Sequence, residues 1–294
     1  MTLAVNPMRL SNPKFLSLFI FSWLMMLTFA PMPMVHMLEY VIFSFLGIAG
    51  AIFANATGAG GGVVFIPFFN QLAFTEQQAI ATSFAIQCFG MTAGAFTWWF
   101  HYREQKTDLV LWQGFKRIIL ISSISGISGI WLVYGNNISA GSSLSYSFSW
   151  FSLLLGAAII LVVGWAKPQR ERSKLLLIDW LAFIVIGLLG GVITAWLSVG
   201  IGELLAIYLI LRRFDVTMAV AAAVVVSAIT VWSAIWQHTL VAFNIYWQVV
   251  LFAGPGAVLG GVIAKTLVTY LSARRLKLFF AFWLLVSGSF GILG

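Results

Sequence analysis

The stretch FANATGAGGGVVFIPFF, residues 53–69, sets four glycines into the five positions 58–62, inside one of the most apolar parts of the chain. Each glycine costs a helix about 1 kcal/mol relative to alanine, so a helix running into this stretch stops there. An unpaired backbone N–H or C=O in lipid costs several kcal/mol. Irregular backbone at membrane depth therefore survives only where protein or a watery cavity satisfies it. The fold turns on whether this break lies in a membrane.

Composition says that it does. The chain has 294 residues, 61% of them hydrophobic and only 8% charged, with a mean hydropathy of +1.01. Soluble domains carry about 25% charged residues, so the chain reads as an all-α polytopic membrane protein whose main partner is the lipid bilayer. Sixteen Lys and Arg against eight Asp and Glu give a net charge of +8. In a soluble protein that balance would raise nucleic acid. Here the basic residues lie in short clusters between apolar runs and read as topology signals, so no nucleic-acid partner is expected.

A lone cysteine, Cys88, makes no internal disulfide, zinc site or iron-sulfur cluster. His36, His101 and His238 end different apolar runs, and no metal or other cofactor is expected. The first apolar run follows Arg9 and Lys14 and ends in TFAPMPMV, 28–35. Proline after the small residue suits signal cleavage poorly, so this run reads as a retained anchor helix.

Runs long enough to span fall near 15–31, 39–56, 77–100, 110–134, 148–166, 175–197, 216–236, 247–271 and 276–293. Two shorter pieces, 63–74 and 203–211, each follow a glycine-rich break and cover roughly half the hydrocarbon core at about 1.5 Å per residue. Basic residues cluster at Arg9 and Lys14, Arg103 to Arg117, Lys167 to Lys174, Arg212 and Arg213, and Arg274 to Lys277. The segments near 32–38, 75–77, 135–147 and 237–246 have none.

With basic loops inside, residues 39–76 must enter and return to the outside, and residues 175–213 must enter and return to the inside. The expected organisation is an N-terminal helix (1–38), a first unit starting outside (39–166), a short cytoplasmic linker (167–174) and a second unit starting inside (175–294). The two units form an inverted repeat with glycine-broken re-entrant half-helices, the N-terminus cytoplasmic and the C-terminus outside. GAGGGVVFIPFF, 58–69, lies over SVGIGELLAIYL, 198–209, with Gly60 over Gly200 and Gly62 over Gly202.

A half-helix after a break aims free N–H groups and a positive dipole end at whatever fills the cavity, which favours an anion. Gly58, Gly60, Gly61, Gly62, Gly200 and Gly202 are the expected binding-loop glycines, with Asn55, Thr57 and Ser198 as polar neighbours. Thr82, Ser83 and Gln87, with Ser227 and Thr230, are placed to line the same cavity or, alternatively, to bond between helices. The glycines of GPGAVLGG, 254–261, and SGISG, 125–129, read as helix-packing positions.

Glu203 opens the second half-helix in apolar surroundings, where an ionised carboxylate is expensive. It is a candidate for proton coupling, the alternative being a cap that finishes its helix. Trp98 and Trp99, like Trp236 and Trp247, suit interfacial belts. Arg212, Arg213 and Asp215 read as a topology signal with local pairing, and Lys265 as a snorkelling side chain.

On GAGGGVVFIPFF and SVGIGELLAIYLIL, the chain resembles the TauE/SafE family of membrane permeases over about residues 39–293. Gly58, Gly60, Gly61, Gly62 and Pro67 fit its GxGGGxxxxP pattern. The second motif keeps Gly200 and Gly202 but has Glu203 and lacks the proline. The resemblance implies transport of a small sulfur-containing oxyanion, such as sulfite or sulfoacetate, across a bacterial cytoplasmic membrane. The expected mechanism is that of a secondary transporter working by alternating access, with an anion channel as the alternative. An intramembrane enzyme is disfavoured, since no catalytic constellation falls within the apolar core, and a scaffold would tolerate substitution at the glycines. Oligomeric state is not legible.

Overall fold

A computed structural model describes residues 12–28, 34–72, 74–104, 110–140, 143–165, 172–270 and 273–293. These residues form α1 (Pro13–Thr28), α2 (Met34–Tyr40), α3 (Ile42–Thr57), α4 (Gly62–Gln71), α5 (Glu76–Glu104), α6 (Phe115–Gly135), α7 (Leu144–Trp165), α8 (Leu177–Leu197), α9 (Ile201–Leu211), α10 (Val216–Trp236), α11 (Trp247–Tyr270) and α12 (Ala273–Leu293), with no strand among them. Among the described residues six helical stretches are long and apolar enough to cross a membrane, Met37–Thr57, Glu76–Glu104, Phe115–Gly135, Leu177–Leu197, Val216–Val241 and Trp247–Val268. The chain is a multi-pass membrane protein.

The two breaks fall where the glycines do. Gly58 adopts φ +82° and its N–H closes back on Ala54 O, ending α3 in the left-handed cap that glycine favours. Ser198 does the same for α8 at φ +59°, its N–H on Thr194 O at 2.8 Å. The helix–break–half-helix order thus occurs twice, with α4 of 10 residues and α9 of 11.

Both helix-interior prolines are compensated in one way. Proline lacks an N–H and so frees the carbonyl four residues before it. For Pro67 that carbonyl is Val63 O, which accepts from Trp283 Nε1 of α12 at 3.3 Å. For Pro255 it is Leu251 O, which accepts from Trp23 Nε1 of α1 at 3.1 Å. The proline-induced vacancies in the helix ladder become the points at which α12 grips α4 and α1 grips α11.

The helix before each break packs on a helix of the other half, α3 on α11 and α8 on α6. α5 lies against both α10 and α11, and α7 against α12. Small residues permit these approaches. A Cβ on Gly256 or Gly260 would run into Ser44 O or Ile48 O of α3, and one on Gly129 or Gly191 into Leu188 O or Gly126 O. The glycines of 254–261 and 125–129 thus serve close packing, as their sequence context indicates.

Departures from the sequence reading are local. The segment near 32–38, read as loop, contributes residues 34–38 to α2, and 237–241, also read as loop, continue α10 as a π-helical turn. Trp98 is not interfacial: it is fully buried and donates Nε1 to Asn55 O, an orphan carbonyl of the last turn of α3, at 3.1 Å. Trp236 and Trp247 are more than half exposed. Of the expected linker 167–174, residues 167–171 lie outside the described residues, as does the His36 side chain.

Candidate functional site: two glycine breaks in mutual contact

The breaks meet, and they meet reciprocally. A Cβ on Gly62 would lie 2.6 Å from Ser198 O, the capping residue of the second break, and one on Gly202 would strike Gly58 O, the capping residue of the first. Both approaches are to backbone oxygen, so only glycine fits at 62 and 202 without moving the chain.

The amides of the breaks are occupied by side chains. Glu203, at the third position of α9, reaches back to Gly200 N with Oε2 at 2.8 Å and across to Gly60 N with Oε1 at 2.7 Å. The contact to Gly200 is the carboxylate half of a capping box. The contact to Gly60 joins the two breaks. The carboxylate is buried, 1% exposed, and no Lys or Arg is paired with it among the described residues. An acidic group held by main-chain N–H donors, without a cationic partner, is the arrangement by which helix N-termini hold anions.

Gln87 of α5 completes the junction. Its Oε1 accepts from Gly61 N at 2.9 Å, while Nε2 lies 2.8 Å from Ser198 Oγ, 3.1 Å from Ser198 O and 3.1 Å from Ser83 Oγ. Ser198 Oγ in turn donates to Ser83 Oγ at 3.0 Å. On the other side Ser227 of α10 faces Gly202, its buried Oγ without a hydrogen-bond partner. Gln87 and Ser227 each lie eleven residues into their helices, about 16 Å along the axis and so about half of a hydrocarbon core of roughly 30 Å.

Of the sequence-selected residues, Gly58, Gly60, Gly61, Gly62, Ser83, Gln87, Ser198, Gly200, Gly202, Glu203 and Ser227 come together. The other four bond nearby backbone groups. Asn55 turns its Nδ2 to Ala51 O and Gly90 O, bracing α3 against α5. Thr57 caps its own helix end through Phe53 O and Ala59 N. Thr82 accepts from Tyr246 N in the α10–α11 connection, and Thr230 back-bonds to Val226 O and Ser227 O. Their hydroxyls and amide satisfy nearer backbone groups first.

Thr194, which the sequence reading passed over, accepts from Ile201 N at 3.0 Å and so satisfies another amide of the second break. Asp179 was passed over too. Fully buried, it accepts from Leu176 N, Tyr208 Oη and Arg212 Nε, and lies 3.3 Å from Arg172 Nη2. It ties the start of α8 to the end of α9. The Arg212 guanidinium is held above its usual range by the hydrogen bond to Asp179. Arg212 thus pairs with Asp179, while Asp215 caps α10 through Met218 N. Lys265 pairs with Glu104 at 3.9 Å. The signal for Asp179 was a lone acid in LLLIDWLAF, 175–183, two residues into an apolar helix.

No curated protein and no solved structure matches the chain. A family model does, over residues 42–290, which takes in both breaks, the half-helices after them and α5 to α12 almost to its end. With the paired glycine motifs in contact and the match running through nearly the whole chain, the protein belongs to the sulfite exporter TauE/SafE family.

Proposed function

We propose that the protein is a secondary transporter for a small sulfur-containing oxyanion, sulfite or an organosulfonate such as sulfoacetate, in a bacterial cytoplasmic membrane. In this reading two inverted units, 39–166 and 175–294, rock against each other about the junction of their breaks. The N-terminus is cytoplasmic and the C-terminus outside. The substrate is held by the amides of Gly60, Gly61 and Gly200, with Gln87, Ser83 and Ser198 supplying adaptable polar contacts. The reciprocal packing of Gly62 on Ser198 and Gly202 on Gly58 supports a two-fold arrangement, and the family supports export of a sulfur oxyanion.

One observation carries the reading. The Gly60 and Gly200 amides already bind a carboxylate, that of Glu203, so the site accepts an oxyanion by construction. A substrate seeking the same donors must displace it. Two unit charges about 4 Å apart repel by about 4 kcal/mol at an effective dielectric of 20, so an ionised Glu203 and a bound anion exclude each other. A proton taken up by Glu203 as the substrate binds removes the charge that would repel it. Glu203 is thereby the coupling residue, and each anion moves with a proton.

The test is flux of sulfite and of sulfoacetate into proteoliposomes holding the purified protein. A transporter gives saturable flux with counterflow, driven by a pH gradient. Linear flux with no counterflow would overturn alternating access in favour of a channel, and no flux of any sulfur oxyanion would overturn the substrate class.

A further inference from the structure

Away from the glycine junction, the start of α6 and the approach to α8 form an open cavity of about 770 Å³. Lys116 and Arg117 of α6 and Lys174 before α8 line it, with Ser173 as a hydroxyl and Trp112 and Trp180 as aromatic walls. No Asp or Glu is among the described residues that line it. The α6 N-cap is Gly114, which offers no side-chain cap to the first turn. Lys116 Nζ sits 5.9 Å from the Trp99 ring centroid, which holds one cation at the rim.

Below the cations the surface turns apolar along the same helix faces. Leu120 and Ile124 follow Arg117 at helical spacing and are 60% and 59% exposed. On α8, Leu177, Leu181 and Ile184 are likewise exposed, and α6 and α8 pack along their lengths. A cluster of cations and indoles beside the exposed apolar side chains of two packed spans matches a molecule with an anionic head and hydrocarbon tails.

The geometry points to a binding site for an anionic phospholipid, its phosphodiester against Lys116, Arg117 and Lys174 and its acyl chains along the exposed leucines and isoleucines of α6 and α8. Because α6 and α8 flank the second break, an occupied site braces the pair of helices that positions Ser198. The assignment rests on the chain spanning a bilayer and is independent of how the glycine junction is used.

Thermal unfolding of the full chain in neutral detergent tests this, with phosphatidylglycerol, phosphatidylcholine or inorganic phosphate added. Phosphatidylglycerol should raise the midpoint by about 5 °C, and the other two should leave it within about 1 °C. The combined variant Lys116→Gln, Arg117→Gln, Lys174→Gln should lose most of that shift. The equally neutralising Lys14→Gln, Arg103→Gln, Arg213→Gln should keep it. Ser173→Trp, which crowds the cavity beside Lys174 and leaves every charge in place, should weaken it as well, so the outcome does not hang on the triple variant folding. An undiminished shift in the Ser173→Trp protein overturns the site. A shift reproduced by phosphate alone makes it a soluble-anion site, and one reproduced by phosphatidylcholine removes the role of charge.

Discussion

Glu203 and Gly60 stand 143 positions apart in the chain, yet the carboxylate Oε1 lies 2.7 Å from the Gly60 amide nitrogen. The same carboxylate holds Gly200 through its other oxygen. One side chain thus occupies both breaks with the kind of group the site is proposed to transport, and the energetics of that occupancy set the first prediction.

Glu203→Gln retains one acceptor oxygen but no titratable proton. Uptake driven by a pH gradient should fall at least about tenfold, equivalent to about 1.4 kcal/mol, and the remaining flux should no longer vary with pH. Substrate exchange, which needs no net proton movement, should persist. Full pH-driven uptake in this variant, measured in proteoliposomes, would remove Glu203 from the coupling. Glu203→Leu is the harsher change. It strands two buried amides, at about 1–3 kcal/mol each, and should lower the unfolding midpoint as well.

Gly62→Val and Gly202→Val should each abolish sulfite or sulfonate flux, because the new side chain meets backbone oxygen of the opposite break. Overpacking of this kind costs about 1–3 kcal/mol, within what a folded protein tolerates, so size-exclusion profiles should remain monodisperse. Gly60→Ala should be milder, since its Cβ would come no nearer than 3.1 Å, to the movable Gln87 side chain. Wild-type flux in both valine variants would dissociate the contact from transport.

Trp283→Phe and Trp23→Phe each remove the donor that satisfies a proline-freed carbonyl, Val63 O and Leu251 O respectively. A loss of about 1 kcal/mol is expected in each case. Replacing the proline as well should restore much of it, since Pro67→Ala returns the missing N–H to Val63 O. Non-additivity in the Pro67, Trp283 double-mutant cycle is the measurement, and strict additivity would show that the indole plays no compensating part.

Arg212→Gln leaves the buried Asp179 carboxylate with Arg172 as its remaining cation, at 3.3 Å. Breaking one arm of a buried ion pair costs about 3 kcal/mol, and the loss should appear as a lowered unfolding midpoint. Arg212→Lys should recover only part of it, because an ammonium lacks the fork that a guanidinium offers. An unchanged midpoint in Arg212→Gln would make this a solvated, inconsequential pair.

Much of the architecture is legible before folding. The spans near 175–197 and 216–236 agree with α8 and α10 to within two residues at each end, and 203–211 finds α9. Hydropathy and the local glycine content carry that information within a short window. The sequence reading stumbles where a neighbour overrides a local preference. Trp98 looks interfacial beside Trp99, but an orphan carbonyl of α3 draws it into the interior. Asn55 and Thr57, next to the break, bond backbone of their own helix, and Thr57 also accepts from Ala59 N of the break.

Which stretches are apolar, where the chain breaks and which connecting stretches are basic follow from the sequence alone, because hydropathy and helix termination are properties of neighbouring residues. That the two breaks touch, that Glu203 serves both, and that Gln87 reaches Ser198 from 111 positions away came only with the tertiary structure. Buried polar groups must find partners wherever packing delivers them, and packing joins residues that no stretch of chain holds together.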